Sequence, residues 1–202
     1  MLTVGVTGGI ACGKSLIGTL LKDGGIAVCE SDQLGHTIIE PGTPAYCEII
    51  EAFGDSVLDE SGAIDRGELG RRVFSDSRER ERLNAIVHPR VRQAWKAWLS
   101  DRPQDSEVAA VIVPLLYEVG AEGEFDVVIC VSASEPTQMA RLVDRGLSES
   151  DARSRIAAQM STEEKAARAD YNIQNDGTKE SLEVKTLEVM DTILESRNGN
   201  EK

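Results

Sequence analysis

Aromatic side chains are scarce in this 202-residue chain: Phe53, Phe74, Phe125, Tyr46, Tyr117, Tyr171, Trp95 and Trp98 make up 4% of it. The core must therefore be chiefly aliphatic. Histidine is scarcer still, with His36 and His88 alone. The four cysteines (Cys12, Cys29, Cys47, Cys130) are widely separated and form no C-x-x-C pair. That excludes the usual zinc-ligand spacings and fits free thiols in a reducing compartment. The longest apolar run, Val108 to Tyr117, is far too short to span a bilayer, and Leu2-Thr3-Val4-Gly5-Val6 reads as a strand rather than a leader. Positive charge is also in deficit: 22 Lys+Arg against 35 Asp+Glu give −13. A chain so acidic is not a general binder of nucleic acid or anionic membrane. These absences predict a soluble, cytoplasmic protein with a small-molecule partner. They are silent on oligomeric state.

What is present is an alternation of short apolar runs with helical stretches. At 41% apolar and 28% charged residues the composition is ordinary for a globular protein. At this length folding buries roughly 70% of the unfolded chain's surface, so no staple is needed. Strands are predicted at 2–6, 26–29, 108–113, 127–131 and, more weakly, 171–174. Helices are predicted at 14–22, 31–39, 44–53, 66–74, 78–99, 136–145, 149–160, 162–168 and 179–196. This is the pattern of a five-stranded parallel α/β sheet covered on both faces, with three layers in a single domain over 1–202. The helical stretch of about 41–101 is too long for one crossover and forms a lobe, leaving a core of 1–40, 102–135 and 170–197. A second insertion, about 136–169, carries Arg141, Arg145, Arg153, Arg155 and Arg168. Pro89 should bend or restart the long helix in which it lies.

Gly8-Gly9-Ile10-Ala11-Cys12-Gly13-Lys14-Ser15 matches G-x-x-x-x-G-K-[ST] directly between a strand and a helix. Glycines let successive N–H groups curl around a phosphate, and the helix N-terminus adds partial positive charge. Lys14 would reach the β- and γ-phosphates of ATP, and the Ser15 hydroxyl would support Mg²⁺. No lysine sits in the guanine-reading [NT]-K-x-D, and no two glycines are spaced as G-x-G. A switch GTPase and a dinucleotide enzyme are thereby set aside. An ATP-using kinase of small molecules leads, ahead of an ATPase or assembly factor.

Strand two runs into Glu30-Ser31-Asp32. In a doubly wound sheet, ligands bind outside the carboxyl ends of the strands. With strand two expected beside strand one, Asp32 would face the γ-phosphate and accept the proton of an attacking hydroxyl. On the residues alone it serves equally well as the N-cap of the next helix. Arg141 and Arg145, four apart, would project from one helical face, either to clamp a transferring phosphoryl group or simply as a solvated face. His88, a lone histidine, reads as structural on the same terms. Pro114 ends strand three, so Leu115, Tyr117 and Glu118 could line the acceptor site, with Leu116 in the core.

From Leu2 to about Leu194 these residues resemble the dephospho-coenzyme A kinase family. The likeness is carried by Thr7-Gly8-Gly9-Ile10 through Ser15, the strand ending in Asp32, Pro41-Gly42, Phe53-Gly54 and Ile64-Asp65-Arg66. It continues in Val73-Phe74, Ile86-Val87-His88-Pro89, Pro114-Leu115-Leu116-Tyr117-Glu118, Gln138-x-x-Arg141-x-x-x-Arg145, Ala158-Gln159, Ala169-Asp170 and Asn175-x-Gly177. The resemblance implies a P-loop kinase fold of the nucleoside-monophosphate-kinase type. It implies a substrate lobe containing Arg66 and His88, and a lid bearing Arg141 and Arg145. The reaction it implies moves the γ-phosphoryl group of ATP, with Mg²⁺, to the ribose 3′-hydroxyl of dephospho-coenzyme A. Asp32 would be the catalytic acid, and Asn175 and Gly177 would border the adenine. Two positions depart from the pattern: Glu30-Ser31-Asp32 stands where the family often has D-A-D, and Leu16 replaces the threonine that usually follows the loop serine. A kinase of another hydroxyl or nucleotide acceptor, and a non-catalytic ATP-binding switch, are the alternatives.

Overall fold

The computed structural model describes residues 1–103 and 106–200. Two compact units divide the chain: Met1–Cys29 with Pro103–Lys202, and Glu30–Arg102.

The larger unit is built on a parallel sheet of β1 (Leu2–Gly8), β2 (Ala27–Glu30), β3 (Val108–Ile112), β4 (Val127–Ser132) and β5 (Tyr171–Gln174), in the order β2-β3-β1-β4-β5. Strand two is therefore not beside strand one. The chain leaves the sheet after β2 and returns to lay β3 between them, pairing Leu2 with Val108 and Val6 with Ile112. Alternation along β1 sends side chains to opposite faces. Val4 and Val6 join an aliphatic core with Ile17, Leu21, Ile112, Ile129, Val131, Ile173, Leu182, Met190 and Ile193. Two helices contribute to that core, α1 (Lys14–Asp23) and α9 (Lys179–Asn200), and they also pack on each other. Three further helices follow β4: α6 (Glu135–Asp144), α7 (Glu149–Ala157) and α8 (Thr162–Arg168), with α8 against β4 and β1. Ser134, Ser148 and Ser161 cap these three in turn, each hydroxyl accepting an N–H from the first turn.

The predicted 136–145 helix stops one residue short of Arg145. Gly146, at φ 89°, takes the left-handed position, Leu147 N–H bonds Leu142 O (3.2 Å), and Gly146 N–H bonds Val143 O (2.8 Å). This is a Schellman ending, which glycine adopts without Cβ strain.

The smaller unit holds α2 (Ser31–Thr37), α3 (Pro44–Phe53), α4 (Arg66–Ser75) and α5 (Ser77–Ser100). The lobe read from the sequence began near residue 41; α2 joins it because it packs on α5, with Gly35 lying against Val91. Its core is Ile49, Phe53, Val57, Ile64 and Leu69, to which Tyr46, Val73, Leu83 and Ile86 add partly buried surface. Helix α5 does not restart at Pro89 but runs through it for 24 residues. Beside the missing N–H, the Arg90 guanidinium donates to Ile86 O (2.6 Å) and pairs with Glu48 across on α3. No helix among the described residues is long and apolar enough to cross a membrane.

Candidate active site

Strand β1 ends at Gly8, whose φ of 146° turns the chain out of the sheet. A Cβ there would lie 2.1 Å from Val131 O, so only glycine lets the loop leave beside β4. Gly13, the N-cap of α1, sits at φ 104°. Between them Ala11 has φ 59°, the one non-glycine residue with positive φ among those described. That conformation costs an alanine roughly 1–2 kcal/mol, so its surroundings must hold it. Leu142 of α6 and Ala152 of α7 pack against Ala11. The Arg141 guanidinium donates to Ala11 O (3.1 Å) and to Asn175 O (3.0 Å). Asn175, buried just past β5, returns its own amide N–H to Cys12 O (2.8 Å).

The two peptides that flank Ile10 are each held by a glutamine. Gln138 Nε2 donates to Ile10 O (2.7 Å), and Ile10 N–H donates to Gln159 Oε1 (3.1 Å). Lys14, first residue of α1, folds its Nζ onto Gly8 O (3.0 Å) and Gly9 O (2.8 Å). Ser15 is exposed on the first turn, whereas Leu16 turns inward and packs on the aliphatic core. Burial pushes the Cys12 thiol up more than the Lys14 charge pulls it down, and pushes Cys130 up to about 12. Both stay protonated near neutrality and neither is a nucleophile. Beside Gly9 and Ile10 opens a cleft of about 300 Å³, with Gln138, Gln159, Met160 and Ser161 on its walls and Glu135 and Glu163 also lining it.

Arg141 and Arg145, read from the sequence as a pair, differ in their surroundings. Arg141 is half-buried on α6 and bonded to the loop, while Arg145 is exposed beyond the helix end, in the turn that Gly146 creates. Asn175 is tied to the loop; Gly177, two residues on, is exposed.

After β3 the three candidate acceptor residues part company. Leu115 is half-buried. Tyr117 is buried with Arg168 stacked 4.3 Å over its ring, and its hydroxyl finds no hydrogen-bond partner among the described residues. Burial raises that hydroxyl to about 12. The Glu118 carboxylate meets Lys165 Nζ at 2.8 Å and accepts Met160 N–H at 3.0 Å. Lys165 was not among the residues read as functional from the sequence. Nothing local distinguishes it from a surface lysine of α8. Gln138 and Gln159 were visible only as motif positions.

In the smaller unit, Asp32 lies inside the first turn of α2 and is exposed; the N-cap is Glu30. Capping therefore does not account for Asp32. Arg66 is exposed at the first position of α4, whose cap is Asp65 (to Gly67 N, 2.8 Å, and Glu68 N, 3.0 Å). His88 is half-buried on α5, and desolvation holds its imidazole below its ordinary pKa.

A strand-to-helix loop of this conformation, rising from a parallel sheet ordered β2-β3-β1-β4-β5, defines a P-loop phosphotransferase. The chain matches the dephospho-CoA kinase family over residues 2–181. The dephospho-CoA kinase of Shouchella clausii is 44% identical over 182 residues, covering 89% of this chain and 92% of that protein. A solved Thermus thermophilus protein superposes with a TM-score of 0.83 at 34% identity, covering 96% of this chain and 97% of that one. The solved dephospho-CoA kinase of Campylobacter jejuni gives 0.72 at 25% identity, over 96% and 98%. The chain belongs to the dephospho-CoA kinase family, which phosphorylates dephospho-CoA to coenzyme A in the last step of coenzyme A biosynthesis.

Proposed function

We propose that this chain transfers the γ-phosphoryl group of ATP to the ribose 3′-hydroxyl of dephospho-coenzyme A through the residues of the Gly8–Ser15 loop, Asp32, Arg141 and Arg145. The observation that carries this reading is the loop itself. Its two glycines and one alanine at positive φ are fastened from α6, from the α7–α8 turn and from Asn175. A loop held so firmly by its own neighbours is pre-organised to donate backbone N–H groups to phosphates.

Lys14 Nζ rests on two loop carbonyls and exchanges them for phosphate oxygens when the nucleotide enters. Arg141 turns three of the five N–H donors of its guanidinium on Ala11 O, Asn175 O and, at 3.5 Å, Asn175 Oδ1. The others remain for the nucleotide phosphates. Arg145 adds positive charge from the exposed turn. Asp32 orients the acceptor hydroxyl and takes its proton as the phosphoryl group departs. That role is supported by its place directly after β2, by its exposed position off the N-cap, and by the family resemblance. Arg66, His88 and Leu115 are assigned to the acceptor, and Gly177 with Asn175 to the adenine end of ATP.

The residues present fit Mg²⁺. Ser15 offers a free-standing hydroxyl at the loop's end, and no cluster of three acids or histidines competes for a metal among the described residues. Mg²⁺ characteristically keeps several waters and is held by one or two protein groups plus substrate phosphates. Bound there, it would neutralise charge on the β- and γ-phosphate oxygens. None of the four cysteines is in a disulfide, which supports a reducing, cytoplasmic setting.

The test is an ADP-release assay with dephospho-coenzyme A, adenylate and no acceptor in parallel. Release stimulated by dephospho-coenzyme A alone is expected. Equal stimulation by adenylate, or release without any acceptor, overturns the assignment.

A further inference from the structure

Lys165 has the largest side chain in the wholly buried set. Its Nζ donates to Pro114 O (2.7 Å) and pairs with Glu118 Oε1 (2.8 Å). Taking an ammonium out of water costs several kcal/mol, and apolar replacements of buried ion pairs are often as stable or more so. Stability alone is poorly served by this pair, so its geometry is the informative part.

Both partners of Lys165 sit at the carboxyl end of β3, next to the strand that carries the phosphate loop. Thr7 Oγ1, one residue before Gly8, donates to the same Pro114 carbonyl (3.3 Å). The Glu118 oxygen that holds Lys165 also accepts Met160 N–H (3.0 Å). The neighbouring side chain, Gln159, accepts Ile10 N–H (3.1 Å). One turn before Lys165, Thr162 lies so near Gly9 that a Cβ there would be 2.4 Å from its Oγ1. A continuous set of contacts thus runs from the segment after β3, through the α7–α8 turn, to the Gly9–Ile10 peptide, one peptide before the strained Ala11.

We propose that Lys165 and Glu118 are positioning residues for phosphoryl transfer, acting through Met160 and Gln159 to hold the Ile10 N–H in one orientation in the phosphate loop. The pair pins the turn; the turn aims Gln159; Gln159 fixes the Gly9–Ile10 peptide, while Gln138 holds the Ile10 carbonyl of the next peptide, from which Ala11 enters its left-handed conformation. The inference rests on the reading of this loop as the ATP cradle.

The experiment compares Lys165→Met, Gln159→Met and the double variant of the full chain, assayed with ATP and dephospho-coenzyme A well below each melting temperature. Misplacement of about 1 Å at a reacting centre can cost 10²-fold in rate, so each single variant is expected to lose roughly 10-fold or more in kcat. KM for ATP should change much less than kcat. The double variant should lose no more than the worse single one, because both interrupt the same contacts. If Lys165→Met does not fold, Glu118→Gln takes its place in the same cycle with Gln159→Met. Wild-type kcat in Gln159→Met, or losses that multiply in the double variant, overturn the inference while leaving the function intact. An inactive wild-type chain overturns the functional reading and this inference with it.

Discussion

Replacing Arg141 separates a structural arginine from a surface one, and the contrast with Arg145 makes the result quantitative. Arg141 is half-buried and donates to two carbonyls, Ala11 O at 3.1 Å and Asn175 O at 3.0 Å. Hydrogen bonds to a charged donor are worth about 1.5–3 kcal/mol, and partial exposure admits water to replace some of that. Arg141→Ala should therefore cost about 2 kcal/mol rather than twice the upper figure. At about 2–4 °C per kcal/mol for a chain of this size, the melting temperature should fall by roughly 4–8 °C. Arg145→Ala, in the exposed turn after α6, should stay within about 0.5 kcal/mol. In turnover the two should differ as well. Arg141→Ala loosens the Ala11 conformation and should raise KM for ATP besides lowering kcat. Arg145→Ala should lower kcat alone, because its charge meets only the transferring group. Thermal melts and steady-state kinetics on the two single variants suffice. Equal melting temperatures, or a larger loss of stability in Arg145→Ala, would refute the argument from hydrogen bonding.

Asp32→Asn should keep the wild-type melting temperature, since the side chain is exposed and the N-cap is Glu30. Its kcat should fall by about 10²-fold or more; near-normal turnover would remove Asp32 from the chemistry. Lys14→Ala should fold normally yet bind ATP and transfer phosphoryl poorly, as judged by calorimetric titration beside the kinetic assay. Full activity in that variant would count against the phosphate-loop mechanism. His88 is held below its ordinary pKa by burial. The unfolded chain then binds more protons as pH drops past about 6.5, so its share of stability is present above that pH and lost as pH falls through the folded-state pKa. Denaturant melts at pH 8 and pH 5 should show a larger acid loss in wild type than in His88→Gln.

What was legible in the sequence is what local chemistry decides. The glycine–lysine spacing placed a phosphate loop between β1 and α1, and serines at 134, 148 and 161 sit where three helices begin. The helix predicted over 136–145 ended within a residue of α6, whose C-cap is Arg145 and which Gly146 follows at positive φ. The strands emerged because runs such as Val108–Ile112, buried throughout, leave no amphipathic alternative. Other features depended on contacts between distant segments. That β3 enters between β2 and β1 follows from where the chain returns after the smaller unit, and no residue in β3 records it. Lys165 lies in T-E-E-K-A-A-R, a sequence suited to a solvated helix, and is buried only because Glu118 and Pro114 reach it across 47 and 51 positions. The direction of Glu118, the covering of Tyr117 by Arg168 and the bracketing of Ile10 by two glutamines have the same origin. Periodicity and capping are short-range and can be read residue by residue. A buried charge is decided by which groups the closed fold brings within hydrogen-bond reach, and only the tertiary structure contains that.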